Sequence, residues 1–373
     1  MQSERLTWLV KAQGPFASVY YDDSHDTEDA VEQLETRWHL IRRRLEELGA
    51  DAGVIRMVER AVLHHRPAIG HRGRAVIATH EQVLINDHLV SPPPAMEIRL
   101  SDYPYVVPLI DLEIRRPTYV VAAIDRAGAD ISIYRGRTVS STSIDGGGYP
   151  VHKPATGGWH GYGDYQHTTE EAIRMNCRAV ADELVRLVDK ANPEVVFLCG
   201  ETRSLADLVS ELPRRVTERA SQVHSGARKI GIDDDEIREL ASAEFARRRD
   251  AEMTGIADRF RAEVGRRSGL AAAGLADVCS ALRDGNVETL IVGELGDATV
   301  VTGRSLSTIA TDADALSELG EPMQRVVRAD EALPYNAVAV GATLVRADGG
   351  LALADGIGAV LRYAADSVAR RGA

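Results

Sequence analysis

Residues 119–168 read YVVAAIDRAGADISIYRGRTVSSTSIDGGGYPVHKPATGGWHGYGDYQHT, and the rest of the chain is read outward from them. YVVAAID, ADISIYRG and RTVSSTSI are three strand-like runs rich in β-branched residues and separated by glycine turns. From Asp145 to Thr168 the character changes: seven glycines (Gly146, Gly147, Gly148, Gly157, Gly158, Gly161, Gly163) are interleaved with aromatics, histidines and a lysine. Glycine permits close backbone approach to a partner but supplies no hydrophobic reason for order, and a run of this length is usually functional or disordered. Thr168 followed by Glu171 has the spacing of a capping box and predicts a helix start. Ile173, Cys177, Val180, Leu184 and Leu187 form the apolar stripe of that helix, which puts Cys177 in the core. EVVFLCG (Glu194–Gly200) then reads as a buried strand and SLADLVSEL as another helix. Antiparallel strands followed by β-α units predict an α/β layer fold.

Toward the N-terminus, FASVYY (Phe16–Tyr21) reads as a strand. Val31, Leu34, Trp38, Ile41, Leu45 and Leu48 step by three and four, predicting a helix from Thr27 to about Glu47, with Arg42, Arg43 and Arg44 as solvated charges. A weaker helical period runs from Asp51 to His65. The short basic turn IGHRGR (Ile69–Arg74) leads into RAVIATHEQVLINDHLV, which alternates about His80-Glu81 as a hairpin does. Toward the C-terminus, Arg215 to Gly265 is charged and mostly helical, with DDDE (Asp233–Glu236) read as a dipole-favoured helix start in preference to a metal site. The last part reads as helix AAAGLADVCSALRDG, strands VETLIVGE and ATVVTG, a helix near Ala313–Leu319, then NAVAVGATLV and GIGAVLRYA. The organisation predicted is three domains, 1–116, 117–266 and 267–373, with the glycine-rich loop in the second.

Composition narrows the function. The 373 residues carry 44% hydrophobic and 27% charged side chains, the values of a soluble globular chain. Cys177, Cys199 and Cys279 are too widely spaced for a disulfide framework or a CxxC clamp, which fits a reducing cytosol. No signal peptide or membrane span is read, so the location predicted is cytoplasmic. A net charge of −12 argues against broad electrostatic binding to nucleic acid, but not against contact through a few local points.

The loop offers several chemistries. His152, His160 and His167 are spaced by eight and seven, which matches no compact metal signature. A His/Asp pair with Asp145 or Asp164 is conceivable, although flexible loops hold catalytic geometry poorly. The glycine pairs lack GxxxxGK[ST], so a phosphate cradle is weakly supported. As a contact loop, Trp159, His160, Tyr162 and Tyr165 offer stacking surfaces for unpaired bases, while Lys153, Gln166 and backbone amides reach phosphates or base edges. A surface loop whose aromatics fold back on its own domain accounts for the same residues. His71, Arg72 and Arg74 form a second, smaller basic point, equally readable as an ordinary hairpin surface.

Three segments fall into one family order. GIGAVLRY (Gly356–Tyr363) resembles the terminal strand motif of the archaeal and eukaryotic class-1 release factors and Pelota. VETLIVGE after ALRDG resembles the opening of their third domain. YVVAAIDRAGADISIYRG, with its glycine-rich loop and long helix, resembles their second. The bacterial branch of this family, which includes Balon-type hibernation factors, is the group the chain resembles most. The resemblance implies a three-domain, tRNA-shaped α/β architecture with an RNase H-like middle domain and a C-terminal α/β/α sandwich. Where release factors carry Gly-Gly-Gln, this chain has Gly157-Gly158-Trp159; the tryptophan has no amide to position water, so peptide release is not expected. The stop-codon tetrapeptide is not recognisable between Asp51 and Arg74.

What the resemblance then implies is a non-enzymatic factor in the A site of the 70S ribosome, without cofactor or metal. Small- and large-subunit ribosomal RNA would be touched by His71, Arg72 and Arg74 and by His152, Lys153, Gly157, Gly158, Trp159, His160, Tyr162, Tyr165, Gln166 and His167. Elongation factor Tu would be a partner, and the chain a monomer. A Pelota-like rescue factor and a hydrolase acting on RNA or peptidyl-tRNA through His160 or His167 are the competing expectations.

Overall fold

The computed structural model describes residues 6–24, 30–64, 71–112, 117–136, 138–145, 162–223, 234–347 and 349–365. Two compact units result: Met1–Arg115 with Arg248–Ala373, and Arg116–Arg247. The sequence segments expected at the two ends of the chain thus lie in one unit.

The N-terminal part holds β1 (Phe16–Asp22), α1 (Ala30–Glu47), α2 (Ala52–Leu63), β2 (Gly73–Ala78), β3 (Val83–Leu89), β4 (Glu97–Ser101) and the short α3 (Val107–Leu112). The sheet order is β3-β2-β1-β4, antiparallel throughout. Both faces are covered. Ala17, Val19, Tyr21 and Val76 pack against Trp38, Ile41 and Leu45 of α1 and Val54 and Val58 of α2, while Phe16, Tyr20, Ala75 and Ile77 face a second core. A strand buried on both faces reads as a continuous apolar run, which is why FASVYY was legible. The hairpin closes where expected, the Gln82 carbonyl accepting from Thr79 N–H at 2.9 Å. Asp51 caps α2, its carboxylate accepting from the amides of Gly53 (2.6 Å) and Val54 (3.0 Å). Arg42 and Arg43 pair with Glu46 and Glu47 on the exposed side of α1. Residues 25–29, where that helix was expected to begin, lie outside the described residues.

The middle unit is built on β5 (Tyr119–Ile124), β6 (Gly128–Arg135), β7 (Thr138–Asp145), α4 (Tyr162–Ala191), β8 (Val195–Gly200), α5 (Thr202–Glu211), α6 (Arg214–Thr217) and β9 (Ala220–Val223), with the first half of α7 (Asp234–Arg266). The order β7-β6-β5-β8-β9 has three antiparallel strands followed by two parallel ones, the RNase H-like arrangement. Val180, Leu184 and Val188 of α4 pack with Leu205 and Leu208 of α5 on one face. Ile237 and Ala241 of α7 cover Tyr119, Val121 and Phe197 on the other. Cys177 is only half-buried at the margin of the first core.

One expectation is corrected here. The helix does not start at a Thr168 capping box: it already runs from Tyr162, because Thr-x-x-Glu is also tolerated inside a helix and nothing in QHTTEE breaks one. The stretch after Arg215 is mostly helical as expected, in α7, and the short β9, which the sequence reading did not pick out, extends the sheet beside β8.

The C-terminal part adds β10 (Ala271–Ala273), α8 (Leu275–Arg283), β11 (Val287–Val292), β12 (Thr299–Thr302), β13 (Ile309–Ala310), α9 (Ala313–Glu318), β14 (Arg325–Arg328), α10 (Ala329–Ala339), β15 (Thr343–Arg346) and β16 (Ile357–Leu361). The main sheet runs β10-β16-β11-β15, and β13-β12-β14 forms a smaller one. Val278 and Leu282 of α8 and Leu333 and Ala337 of α10 pack on one face of the main sheet. Ala257 and Phe260 of α7 pack on the other, giving an α/β/α sandwich. AAA, expected to open a helix, is instead an edge strand paired with β16, and Gly274 at φ 85° separates it from α8. NAVA belongs to α10. Two glycines of the closing motif are obligatory for different reasons. Gly356 has φ 72°, and a Cβ there would overlap the Glu294 carbonyl oxygen; at Gly358 it would meet the Phe260 ring at 2.7 Å.

The core that takes in Phe16, Tyr20 and Ile77 also holds Leu290, Leu333 and Leu344, so the N- and C-terminal sheets share one interior.

Candidate functional site

The basic turn enters β2. His71 is exposed, Arg72 half-buried and Arg74 only 3% exposed. Ser24 organises the outer part: its hydroxyl accepts from Arg72 N–H at 3.0 Å and lies 3.1 Å from His71 Nδ1. Asp22 supports Ser24 by accepting from its amide at 2.8 Å. Partial burial pushes the Asp22 carboxyl up, but hydrogen bonds from the Ser24 side chain and backbone outweigh this and hold it below the usual aspartate range.

Arg74 is turned inward. Its Nε donates to Asn86 Oδ1 at 2.9 Å, Nη1 lies 3.0 Å from His88 Nε2, and Asp23, fully buried, is 3.8 Å away. Asn86 in turn donates to the Ala61 carbonyl of α2 at 3.2 Å. Burial depresses the Arg74 guanidinium, partly offset by Tyr21, Asp23 and Asp87. Of the three basic residues read as contacts, His71 and Arg72 therefore reach solvent, and Arg74 braces the turn from beneath. Asp23, Asn86 and His88 were missed as parts of this site, because no local pattern links the end of β1 and the middle of β3 to Arg74 on β2.

In the middle unit the glycine-rich segment leaves β7 at Asp145 and returns at Tyr162. His152, Lys153, Gly157, Gly158, Trp159 and His160 lie outside the described residues. Tyr162, Tyr165, Gln166 and His167 belong to the first turns of α4. The first fully buried side chain described on that helix is Asn176. At about 1.5 Å per residue, the 14 steps from Tyr162 to Asn176 span roughly 21 Å along the helix.

Asn176 donates to the Arg126 carbonyl at 3.1 Å, tying α4 to the β5–β6 turn. Asp125 shapes that turn by accepting from the amides of Ala127 and Gly128 at 2.7 and 2.8 Å. A small groove beside it is lined by Ile124, Ile173, Cys177, Ser204 and Asp207. Burial, with Asp207 and Glu211 nearby, pushes the Cys177 thiol up to about 11. Burial takes Cys199 to about 11 and Cys279 to about 12. All three thiols are protonated at neutral pH, the opposite of an activated cysteine nucleophile.

The family model for bacterial archaeo-eukaryotic release factor family 2 matches residues 118–266, from β5 to the end of α7. Two Mycobacterium tuberculosis proteins, "Uncharacterized protein MT2704" (strain CDC 1551 / Oshkosh) and "Uncharacterized protein Rv2629" (strain ATCC 25618 / H37Rv), are each 67% identical over 365 residues, 98% of either chain. The chain belongs to bacterial archaeo-eukaryotic release factor family 2. Among solved structures, this family 2 chain is similar to an archaeal translation termination factor, aRF1, at 16% identity, covering 97% of this chain and 99% of that one with a TM-score of 0.25. It is also similar to the archaeal Pelota of a ribosome-bound Pelota and ABCE1 model, at 14% identity, 97% and 94% coverage and a TM-score of 0.41. Saccharomyces cerevisiae Dom34, a translation termination-like factor, is 11% identical over 79% of this chain and 81% of its own, with a TM-score of 0.41. The span matched by the family 2 model includes the whole segment between β7 and α4, the part of the chain with the strongest compositional signature.

Proposed function

We propose that this family 2 protein is a ribosome hibernation factor that occupies the A site of idle 70S ribosomes and releases no peptide. Trp159 carries the reading. It follows Gly157-Gly158 at the place where the peptide-releasing relatives that the sequence resembles carry glutamine. An indole has one N–H donor and no acceptor, so it lacks the amide that positions a hydrolytic water, but it stacks on an unpaired base. The length of α4 supports the reading: the segment returns to Tyr162, about 21 Å along the helix from the buried Asn176. His71 and Arg72 are the accessible cationic and stacking groups at the N-terminal turn, suited to the decoding region, while the loop faces the peptidyl-transferase region.

A net charge of −12 with local basic tips limits indiscriminate RNA binding. The protein acts as a single copy on the ribosome, in the cytoplasm, together with elongation factor Tu, and without catalysis of its own. No helix among the described residues is long and apolar enough to cross a membrane. Sedimentation of lysates from starved cells tests the proposal: the protein should travel with vacant 70S particles, and deletion of residues 154–166 should release it. Recovery only in the free fraction would reject it. Preference for ribosomes stalled on truncated messenger RNA over vacant ones would point instead to rescue.

A further inference from the structure

Along the long helices of this chain, arginines sit beside carboxylates of the same helix. Arg42 and Arg43 of α1 pair with Glu46 and Glu47, Arg186 of α4 with Glu183, and Arg261 and Arg266 of α7 with Asp258 and Glu263. The outer face of α2 is different. Val54, Val58, Ala61 and Val62 turn its inner side to the sheet. On the opposite side Arg56, Arg60 and His64, each four residues after the last, are exposed. Successive members are about 6 Å apart along the axis, and the stripe is about 12 Å long. Among the described residues none of the three forms an ion pair. Glu59, the carboxylate within the helix, is half-buried on another side, where it acts on Arg42 of α1.

Folding gives no account of this stripe. Like charges one turn apart weaken a helix. The helix dipole favours a cation in the last turn, at Arg60, but not at Arg56 a turn earlier. No large apolar side chain of α2 is exposed, so the face lacks the buried anchor on which a protein partner would seat. A line of unpaired cations with no apolar anchor suits a phosphodiester backbone, which presents one charge per nucleotide and asks for little else. The stripe is also tied to the basic turn. Asn86, which takes the Arg74 Nε–H beneath that turn, donates to the carbonyl of Ala61, the residue after Arg60. His71 and Arg72 are thus held on the same frame as the outer face of α2.

We propose that this outer face is a second RNA-contact face, on which Arg56, Arg60 and His64 hold successive phosphates of one ribosomal RNA strand. Phosphate contacts fix register and orientation without reading sequence. The inference rests on the reading of the chain as a ribosome-bound factor, and supplies the grip that positions its basic turn.

Pelleting of the intact protein with vacant 70S ribosomes across a potassium chloride series tests it. Arg56→Gln/Arg60→Gln should weaken binding about tenfold and lower the slope of log affinity against log salt by about one for each arginine. Arg56→Lys/Arg60→Lys keeps both charges and should retain the wild-type slope. Arg43→Gln, which removes an arginine already paired with Glu47, should change neither quantity. The unfolding midpoint should stay at the wild-type value in every variant, because these side chains face solvent; if the glutamine variant is destabilised, the slope of the lysine variant decides. Wild-type affinity and slope in the glutamine variant, a lost slope in the lysine variant, or an equal loss in Arg43→Gln would overturn the proposal and leave ribosome binding standing. Failure of the wild-type protein to bind ribosomes would instead remove the functional reading, and a short RNA duplex at low salt then decides for the face. Binding lost in the glutamine variant would retain it; no binding, or binding indifferent to the two arginines, would overturn it.

Discussion

Arg99 on β4 donates to the Asp330 carboxylate in the first turn of α10 at 2.9 Å, across 231 residues of chain. The same guanidinium reaches Glu331 at 3.2 Å and Glu97 at 2.6 Å and lies 3.5 Å over the Tyr105 ring. Nearby, Arg325 pairs with Asp102, and Tyr103 donates to the Leu306 carbonyl at 2.8 Å. These contacts fasten the N-terminal sheet to the C-terminal sandwich around their shared core. Removing Arg99 takes the cation from the buried Glu331, while Asp330 keeps Arg328, so Arg99→Ala should cost about 3 kcal/mol in guanidinium unfolding followed by the buried Trp38. A double-mutant cycle with Asp330→Asn should show strong coupling, and additivity would refute the link.

Glu331 gives a pH signature. Burial pushes its carboxyl above the ordinary value of 4.5, opposed by hydrogen bonds from Ser101 and Arg99. For an acid with a raised folded-state pKa, the contribution to stability is complete below the ordinary value and is lost as pH rises through the folded one. Glu331→Gln should therefore gain relative to wild type between pH 4.5 and neutrality. The measurement is the unfolding midpoint of both proteins across that range; a constant difference would contradict the assignment.

Gly356→Ala should destabilise the C-terminal sandwich by about 3 kcal/mol or more, because positive φ and collision with the Glu294 carbonyl act together. Hydrogen exchange should localise the loss to β11 and β16, with β5 and β8 of the other unit unaffected. An effect under about 1 kcal/mol would mean that the backbone there relaxes freely.

The two sides of the basic turn should separate cleanly. Arg74→Ala removes a guanidinium from beside the fully buried Asp23 and the donor to Asn86 Oδ1, and should cost about 3 kcal/mol of stability. His71→Ala should change stability by less than about 0.5 kcal/mol, yet weaken association with vacant ribosomes. A destabilised His71→Ala protein, or a fully stable Arg74→Ala one, would reverse these roles.

Much of this was open to reading from residue order. β1, the β2–β3 hairpin, the helical period of α2, the three strands after Tyr119 and the core stripe of α4 all carry local periodicity or turn chemistry. Failures came where neighbours remote in sequence decided the outcome. Ala271–Ala273 has high helix propensity but is claimed by β16 as a sheet partner. Arg74 looks like the other basic residues of HRGR, and only Asp23 at the end of β1 and His88 on β3, brought beside it, draw its charge inward.

The order of residues alone determined the α/β class, the run of three strands before the long helix and the position of the glycine-rich segment, because those follow from period, turn residues and composition within short windows. Tertiary structure decided that the chain's two ends share one core and that Arg74 is a brace. Each depends on which elements cover one another, and coverage is set by packing between residues more than a hundred positions apart or on separate strands, where no local pattern records it.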